Sequence, residues 1–243
     1  MKVFLTSSPF LPDTEGPRFN PANGLVEGLK EALPPFPRVL CVASSPDRHD
    51  LTCRYGNDIP RALAFEGIDV GGFQVLTNRT REDAKWMIDH SDFLVLHGGH
   101  VPTQNAFFRE IGLRDLLADY DGVVMGISAG TMNAADRVYM QPEEEGESSP
   151  EFVRWADGLG LSQINVLPHY QNVKDDIVDG LRLFEDITYP DSFGHTFFAL
   201  PDGSFVYVED GKETIFGESY RIRDGILEQM TVNGQCRLLS EPE

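Results

Sequence analysis

Short apolar runs rich in β-branched residues recur along the chain at residues 2–5, 38–42, 73–76, 93–96, 123–127 and 164–167. Their brevity and low charge are the pattern of strands buried on both faces. Between most of them lie segments long enough for helices, at residues 24–32, 59–65, 81–90 and 105–119. This alternation predicts βαβ units and a parallel sheet covered on both sides. Beyond about Phe197 the pattern changes. Pro201-Asp202-Gly203 precedes the run at 204–208, and Glu209-Asp210-Gly211 follows it. Arg223-Asp224-Gly225 separates two further β-like runs. Turns of this chemistry join antiparallel strands. The expected architecture is a three-layer α/β/α sandwich with a mostly parallel central sheet and C-terminal antiparallel strands, in one domain over residues 1–243. The polar, acidic stretch QPEEEGESSPE, residues 141–151, reads as a surface loop and not as a boundary.

A hydrophobic fraction of 41% and an aromatic fraction of 10% belong to a folded chain. Thirty-nine acidic against twenty basic residues give a formal charge of -19. Such a charge repels phosphate backbones and anionic lipid, which argues against nucleic-acid and membrane partners. Cys41, Cys53 and Cys236 form no C-x-x-C pair, and His49 between the first two matches no zinc spacing. Free thiols, no metal and no cofactor are expected. The N-terminal MKVFLTSSPFLPDTEG holds only a short apolar run, well below a signal-peptide core. Together these features predict a cytoplasmic protein.

The chemistry-bearing stretch is Gly126-Ile127-Ser128-Ala129-Gly130, which leads from a predicted strand into a segment that can continue as a helix. In G-x-S-x-G the glycines allow a sharp strand-to-helix turn that lifts the serine hydroxyl clear of the backbone. The other reading of the same string is a glycine-lined turn that only binds a ligand. A serine needs a base to become a nucleophile. His169, in Asn165-Val166-Leu167-Pro168-His169-Tyr170, follows an apolar run and should stand at the carboxyl end of a strand near Ser128. His195 is the second candidate base, while His49 and His90 lie in polar segments. A developing oxyanion needs N–H donors. Gly99, with Gly98 beside it in Leu96-His97-Gly98-Gly99-His100, and the N–H of Ala129 are the candidates.

Gly98-Gly99, the serine motif and Pro168-His169-Tyr170, in that order, resemble the peptidase E family of serine peptidases, over roughly residues 2–208. That family includes α-aspartyl dipeptidases and, more distantly, cyanophycinases. It is similar in fold to class I glutamine amidotransferases, with serine in place of their cysteine. The resemblance implies a dipeptidase-like enzyme acting on a small peptide, with an N-terminal Asp-X peptide as one candidate substrate. It implies Ser128 as nucleophile and His169 as general base. The family's acid lies in a Pro-Glu-Gly turn before a late strand, and Pro201-Asp202-Gly203 occupies that place, which implies Asp202 as third member. Asp136 and Glu143 are rival acids.

Two departures bear on substrate. The family's aspartyl peptidases carry GGGN after the oxyanion strand, where this chain has His97-Gly98-Gly99-His100. They also carry an arginine beyond the histidine. Here the basic residues are Lys174 and Arg182, set among Asp175, Asp176 and Asp179, and these are the candidate substrate-binding cations. Two further readings stay open. One is an α/β-hydrolase esterase using His195 with Asp157 or Asp186. The other is a ligand-binding relative without turnover.

Overall fold

The computed structural model describes residues 1–12 and 14–239. Sixteen strands are formed among them. They are β1 (Lys2–Thr6), β2 (Arg38–Val42), β3 (Gly72–Leu76), β4 (Phe93–Leu96), β5 (Val123–Ile127), β6 (Arg137–Tyr139), β7 (Trp155–Asp157) and β8 (Asn165–Leu167). The rest are β9 (Ile177–Val178), β10 (Leu181–Arg182), β11 (Thr196–Ala199), β12 (Phe205–Glu209), β13 (Lys212–Phe216), β14 (Ser219–Arg223), β15 (Ile226–Thr231) and β16 (Cys236–Leu238). The helices are α1 (Leu25–Ala32), α2 (His49–Gly56), α3 (Asp58–Phe65), α4 (Ala84–Asp89), α5 (Val101–Glu110), α6 (Leu113–Leu116), α7 (Ala129–Asn133), α8 (Tyr170–Val173) and α9 (Tyr189–Asp191).

The central sheet has eight strands in the order β16-β13-β12-β1-β5-β4-β2-β3. Its five strands from β1 to β3 run parallel, and β12, β13 and β16 add antiparallel pairs. Alternate side chains feed opposite faces, as strand geometry requires. Val3, Leu5, Leu40, Val42, Leu94 and Leu96 join one core with residues of α4 and α5. Phe4, Val39, Cys41, Phe93, Val95 and Met125 join another with residues of α1 and α3. This is the helix-covered, mostly parallel sheet that the apolar runs predict.

A second sheet, ordered β15-β14-β11-β8, pairs β8 parallel to β11 and has antiparallel β14 and β15. Helix α7 lies between the two sheets. Ala129 and Met132 pack in a third core with Leu167, Phe197, Ala199 and Ile222. The apolar run at 164–167 therefore builds this second sheet instead of extending the central one. The helix expected over 105–119 starts earlier, at Val101, and is broken at Gly112, whose φ of 64° lies in the left-handed region. Helix α2 has no counterpart in the apolar pattern, because only Thr52 and Gly56 of it are buried. Cys41 is buried, Cys53 partly so and Cys236 exposed, all as free thiols. No helix among the described residues is long and apolar enough to cross a membrane.

Candidate active site

Ser128 occupies the turn between β5 and α7 with φ 52° and ψ -113°, a conformation that L-residues rarely adopt. The flanking glycines make that turn possible for a steric reason. A Cβ on Gly126 would stand 2.8 Å from the Thr131 backbone, and one on Gly130 would collide with the Leu96 carbonyl. The turn is then held by polar contacts to β1. The Ser128 N–H donates to the carbonyls of Thr6 and Ser7, both at 3.1 Å, and the Thr131 hydroxyl donates to Thr6 O at 2.7 Å.

His169 and Asp202 meet because β8 and β11 run parallel, with Leu167 beside Ala199, so that both chains leave the second sheet at the same edge. Nδ1 of His169 lies 2.7 Å from Asp202 Oδ1. A carboxylate accepts, so Nδ1 carries the proton and Nε2 is left to face a substrate. The backbone of His169 is itself left-handed, at φ 57°. Asp202 also accepts from the Ser7 hydroxyl at 2.8 Å and from Gln171 Nε2 at 2.7 Å. Burial works to raise the Asp202 carboxyl, but the hydrogen bond and charge of His169, with Ser7 and Gln171, outweigh it and hold it below the usual carboxylate range.

Ser7 is the residue that motif reasoning passes over. It is fully buried. Its carbonyl receives the Ser128 N–H, and its hydroxyl accepts the His169 N–H at 2.7 Å while donating to Asp202. One side chain and its own carbonyl thus touch all three candidate residues.

At the end of β4, Gly98 packs against the serine, since a Cβ there would lie 3.3 Å from Ser128 Cβ. Gly99 presses on Ser44, where a Cβ would overlap the hydroxyl. Ala129 begins α7, so its N–H lies outside the helical ladder. Of the oxyanion candidates, Gly98 and Ala129 therefore adjoin Ser128, while Gly99 sits against Ser44. His97 beside them has an Nε2 without a hydrogen-bond partner, and burial pushes its imidazole down to about 4, which keeps it neutral.

Ser128, Pro168 and His169 open onto one cavity of about 260 Å³. Its apolar wall includes Met132, Val173, Val178 and Leu183, and its charged lining includes Glu143 and Asp176. A cavity of about 330 Å³ at the amino ends of β1, β4 and β5, among Lys2, Asp92 and Asp121, contains none of the candidate residues. Lys174 is exposed and does not line the cavity beside Ser128. Arg182 is held by Asp186, with Nη2 to Oδ1 at 2.7 Å and Nε to Oδ2 at 2.9 Å. The candidate cations are thus not brought to Ser128. Of the rival acids, Asp136 pairs with Arg114 at 2.6 Å, and Glu143 lines the cavity without touching the histidine ring by hydrogen bond. His195 is exposed against Trp155, and Asp157 pairs with Arg137, so the esterase set is not assembled.

The acidic loop folds over this mouth. Glu147 is buried, accepts the N–H groups of Glu143 and Glu144 at 2.8 and 3.1 Å, and pairs with His100 Nε2 at 2.8 Å. His100, Glu144 and Glu147 have metal-ligand types of atom within 4.8 Å of one another, but the His100–Glu147 bond already uses two of them to tie the loop down.

A model of peptidase family S51 matches residues 47–216. Two solved structures share the fold at low identity. A peptidase from an acI-B1 Actinobacterium aligns with TM-score 0.60 and 14% identity over 98% of this chain and 96% of its own. A candidate peptidase E protein from Listeria monocytogenes EGD-e aligns with TM-score 0.59 and 15% identity over 95% of this chain and 98% of its own. No curated protein matches the sequence significantly.

Proposed function

The chain belongs to peptidase family S51 and is a serine-type peptidase, and from that premise we propose that it cleaves small peptides through an acyl-enzyme on Ser128. The observation that carries this reading is the 2.7 Å His169–Asp202 bond on the wall of the cavity that Ser128 enters. Ser128 Oγ attacks the scissile carbonyl carbon while His169 Nε2 takes the hydroxyl proton. Asp202 holds the ring by Nδ1–H and stabilises the imidazolium. The tetrahedral oxyanion is received by the N–H groups of Gly99 and Ala129, with Gly98 giving the backbone room to approach. His169 then passes its proton to the leaving amine, and water repeats the sequence on the ester.

A cavity of about 260 Å³ suits a dipeptide-sized substrate and not a folded protein. Aspartyl specificity would need a cation for the substrate carboxylate, and neither Lys174 nor Arg182 lines this cavity. The Asp-X form of the proposal is therefore the weaker one. Ser128→Ala should abolish turnover, and a neutral serine-directed fluorophosphonate should label Ser128; labelling at another residue would overturn the assignment. His169→Ala should be inactive while His195→Ala keeps its activity.

A further inference from the structure

We infer that Gln171 is a positioning residue for the proposed reaction, fixing the carboxylate of Asp202 against the ring of His169. The inference rests on the serine-peptidase mechanism above and adds a residue to it. Past Leu167 and Ala199, the last paired residues of β8 and β11, two further backbone bonds join the chains. Leu200 N–H donates to Leu167 O at 2.9 Å, and Tyr170 N–H donates to Leu200 O at 3.2 Å. His169, at φ 57°, meanwhile turns its own chain out of the strand and into α8. The side-chain amide of Gln171 then continues the ladder. Its Oε1 accepts the Asp202 N–H at 3.0 Å, and its Nε2 donates to Asp202 Oδ2 at 2.7 Å. A carboxylate only accepts and a backbone N–H only donates, so one orientation of the amide satisfies both partners and the reverse satisfies neither.

The two oxygens of Asp202 therefore have separate holders. Oδ1 receives His169 Nδ1 at 2.7 Å and the Ser7 hydroxyl at 2.8 Å. Oδ2 receives Gln171, with Asn172 Nδ2 at a longer 3.4 Å. Two points on one side fix where a carboxylate sits but leave it free to turn about its Cβ–Cγ bond, and that turn swings Oδ1 off the line of Nδ1–H. Gln171 stops the turn by holding the far oxygen and the main chain of the same residue. It stands two residues from His169, so a single short segment carries the ring and grips the acid that orients it. Base and acid are thus positioned on one another and not separately on the two sheets. Misplacement by a fraction of an ångström is enough to slow a reaction that depends on such alignment. Gln171 itself is exposed, so replacing it removes little buried surface and spares the fold.

The test follows phosphonylation of Ser128 by a neutral alkyl fluorophosphonate, in which Oγ bonds to phosphorus, fluoride departs and His169 takes the serine proton. Gln171→Ala should lower the labelling rate at saturation by about tenfold, with the half-saturating concentration and the Tm unchanged. Gln171→Glu keeps the shape and the acceptor but sets a negative oxygen where the donor faced Oδ2. It should label at least as slowly as Gln171→Ala at neutral pH, whereas a side chain that merely packed would tolerate the exchange. In an Asp202→Ala background both substitutions should be silent, because Gln171 acts only through that carboxylate. A Gln171→Ala or Gln171→Glu variant that labels as fast as the unaltered protein, or a loss that persists without Asp202, overturns the inference. Failure of the unaltered protein to label at Ser128 would instead overturn the serine-peptidase mechanism itself.

Discussion

Around Ser128, the proposed nucleophile, position is set by backbone contact. Gly126 and Gly130 let α7 close onto β5 and β4, and Ser128 takes its left-handed φ because the chain has no other way through. Around His169 and Asp202, the proposed base and acid, position is set by side-chain hydrogen bonds. Asp202 is held by His169, Ser7 and Gln171 across a turn between two sheets. The first arrangement cannot be altered without disturbing the fold. The second can be altered with the fold intact, so damage at the two ends should be separable by measurement.

Among changes that leave Ser128 and His169 in place, the largest effect is expected for Asp202→Asn, which keeps the shape and removes the charge paired with the imidazole. It should lower kcat by about 10⁴-fold, about 5.5 kcal/mol of barrier, with melting nearly unchanged. A small change in kcat would transfer the acid role to another carboxylate. Gly130→Ala should do the reverse. Its methyl group meets the Leu96 carbonyl, and a loss of about 3 kcal/mol, or about 6–12 °C in Tm for a protein of this size, is expected before any catalytic effect. Ser7→Ala removes the hydroxyl that joins His169 N–H to Asp202 and should lower kcat about 10–100-fold with KM little affected. Restoration by Ser7→Thr would show that the hydroxyl, and not mere packing, is responsible.

The smallest effect concerns pH. The folded-state carboxyl of Glu143 is raised to about 7, so its neutral form favours the fold below the unfolded value, and that advantage is lost as pH rises through 7. His100, His169, Glu144 and Glu147 surround it. Because Glu143 is open to solvent at the cavity mouth, the effect is discounted to about 1 kcal/mol or less. Glu143→Gln should therefore raise Tm by no more than about 2–4 °C at pH 8 and leave it unchanged at pH 4.

The same contrast explains what the sequence makes legible. Buried parallel strands need continuous apolar residues, so β2, β4 and β5 stand where the pattern puts them. The serine turn is legible because sterics demand glycine at fixed offsets. Asp202 is reached only through a family resemblance, since Pro-Asp-Gly by itself spells an ordinary turn. Ser7 carries no signal at all: a serine after a strand is commonplace, and its role depends on β8 and β11 arriving from a second sheet. That sheet is itself hidden, because Val166 and Leu167 read like any other buried strand. Helix α2 escapes the pattern because it buries almost no apolar surface.

The contacts of Ser7 also bear on when the enzyme becomes active. Ser7 leaves the ribosome 195 residues before Asp202, and its strand is flanked on one side by β12, with Lys2 beside Glu209. Loop closure over such a span comes late in folding. A nascent chain can form α7 and its serine turn long before it can align the histidine and the acid. On the proposed mechanism the hydrolase is therefore unarmed until the turn that carries Asp202 has been made and has closed onto Ser7, 195 residues away.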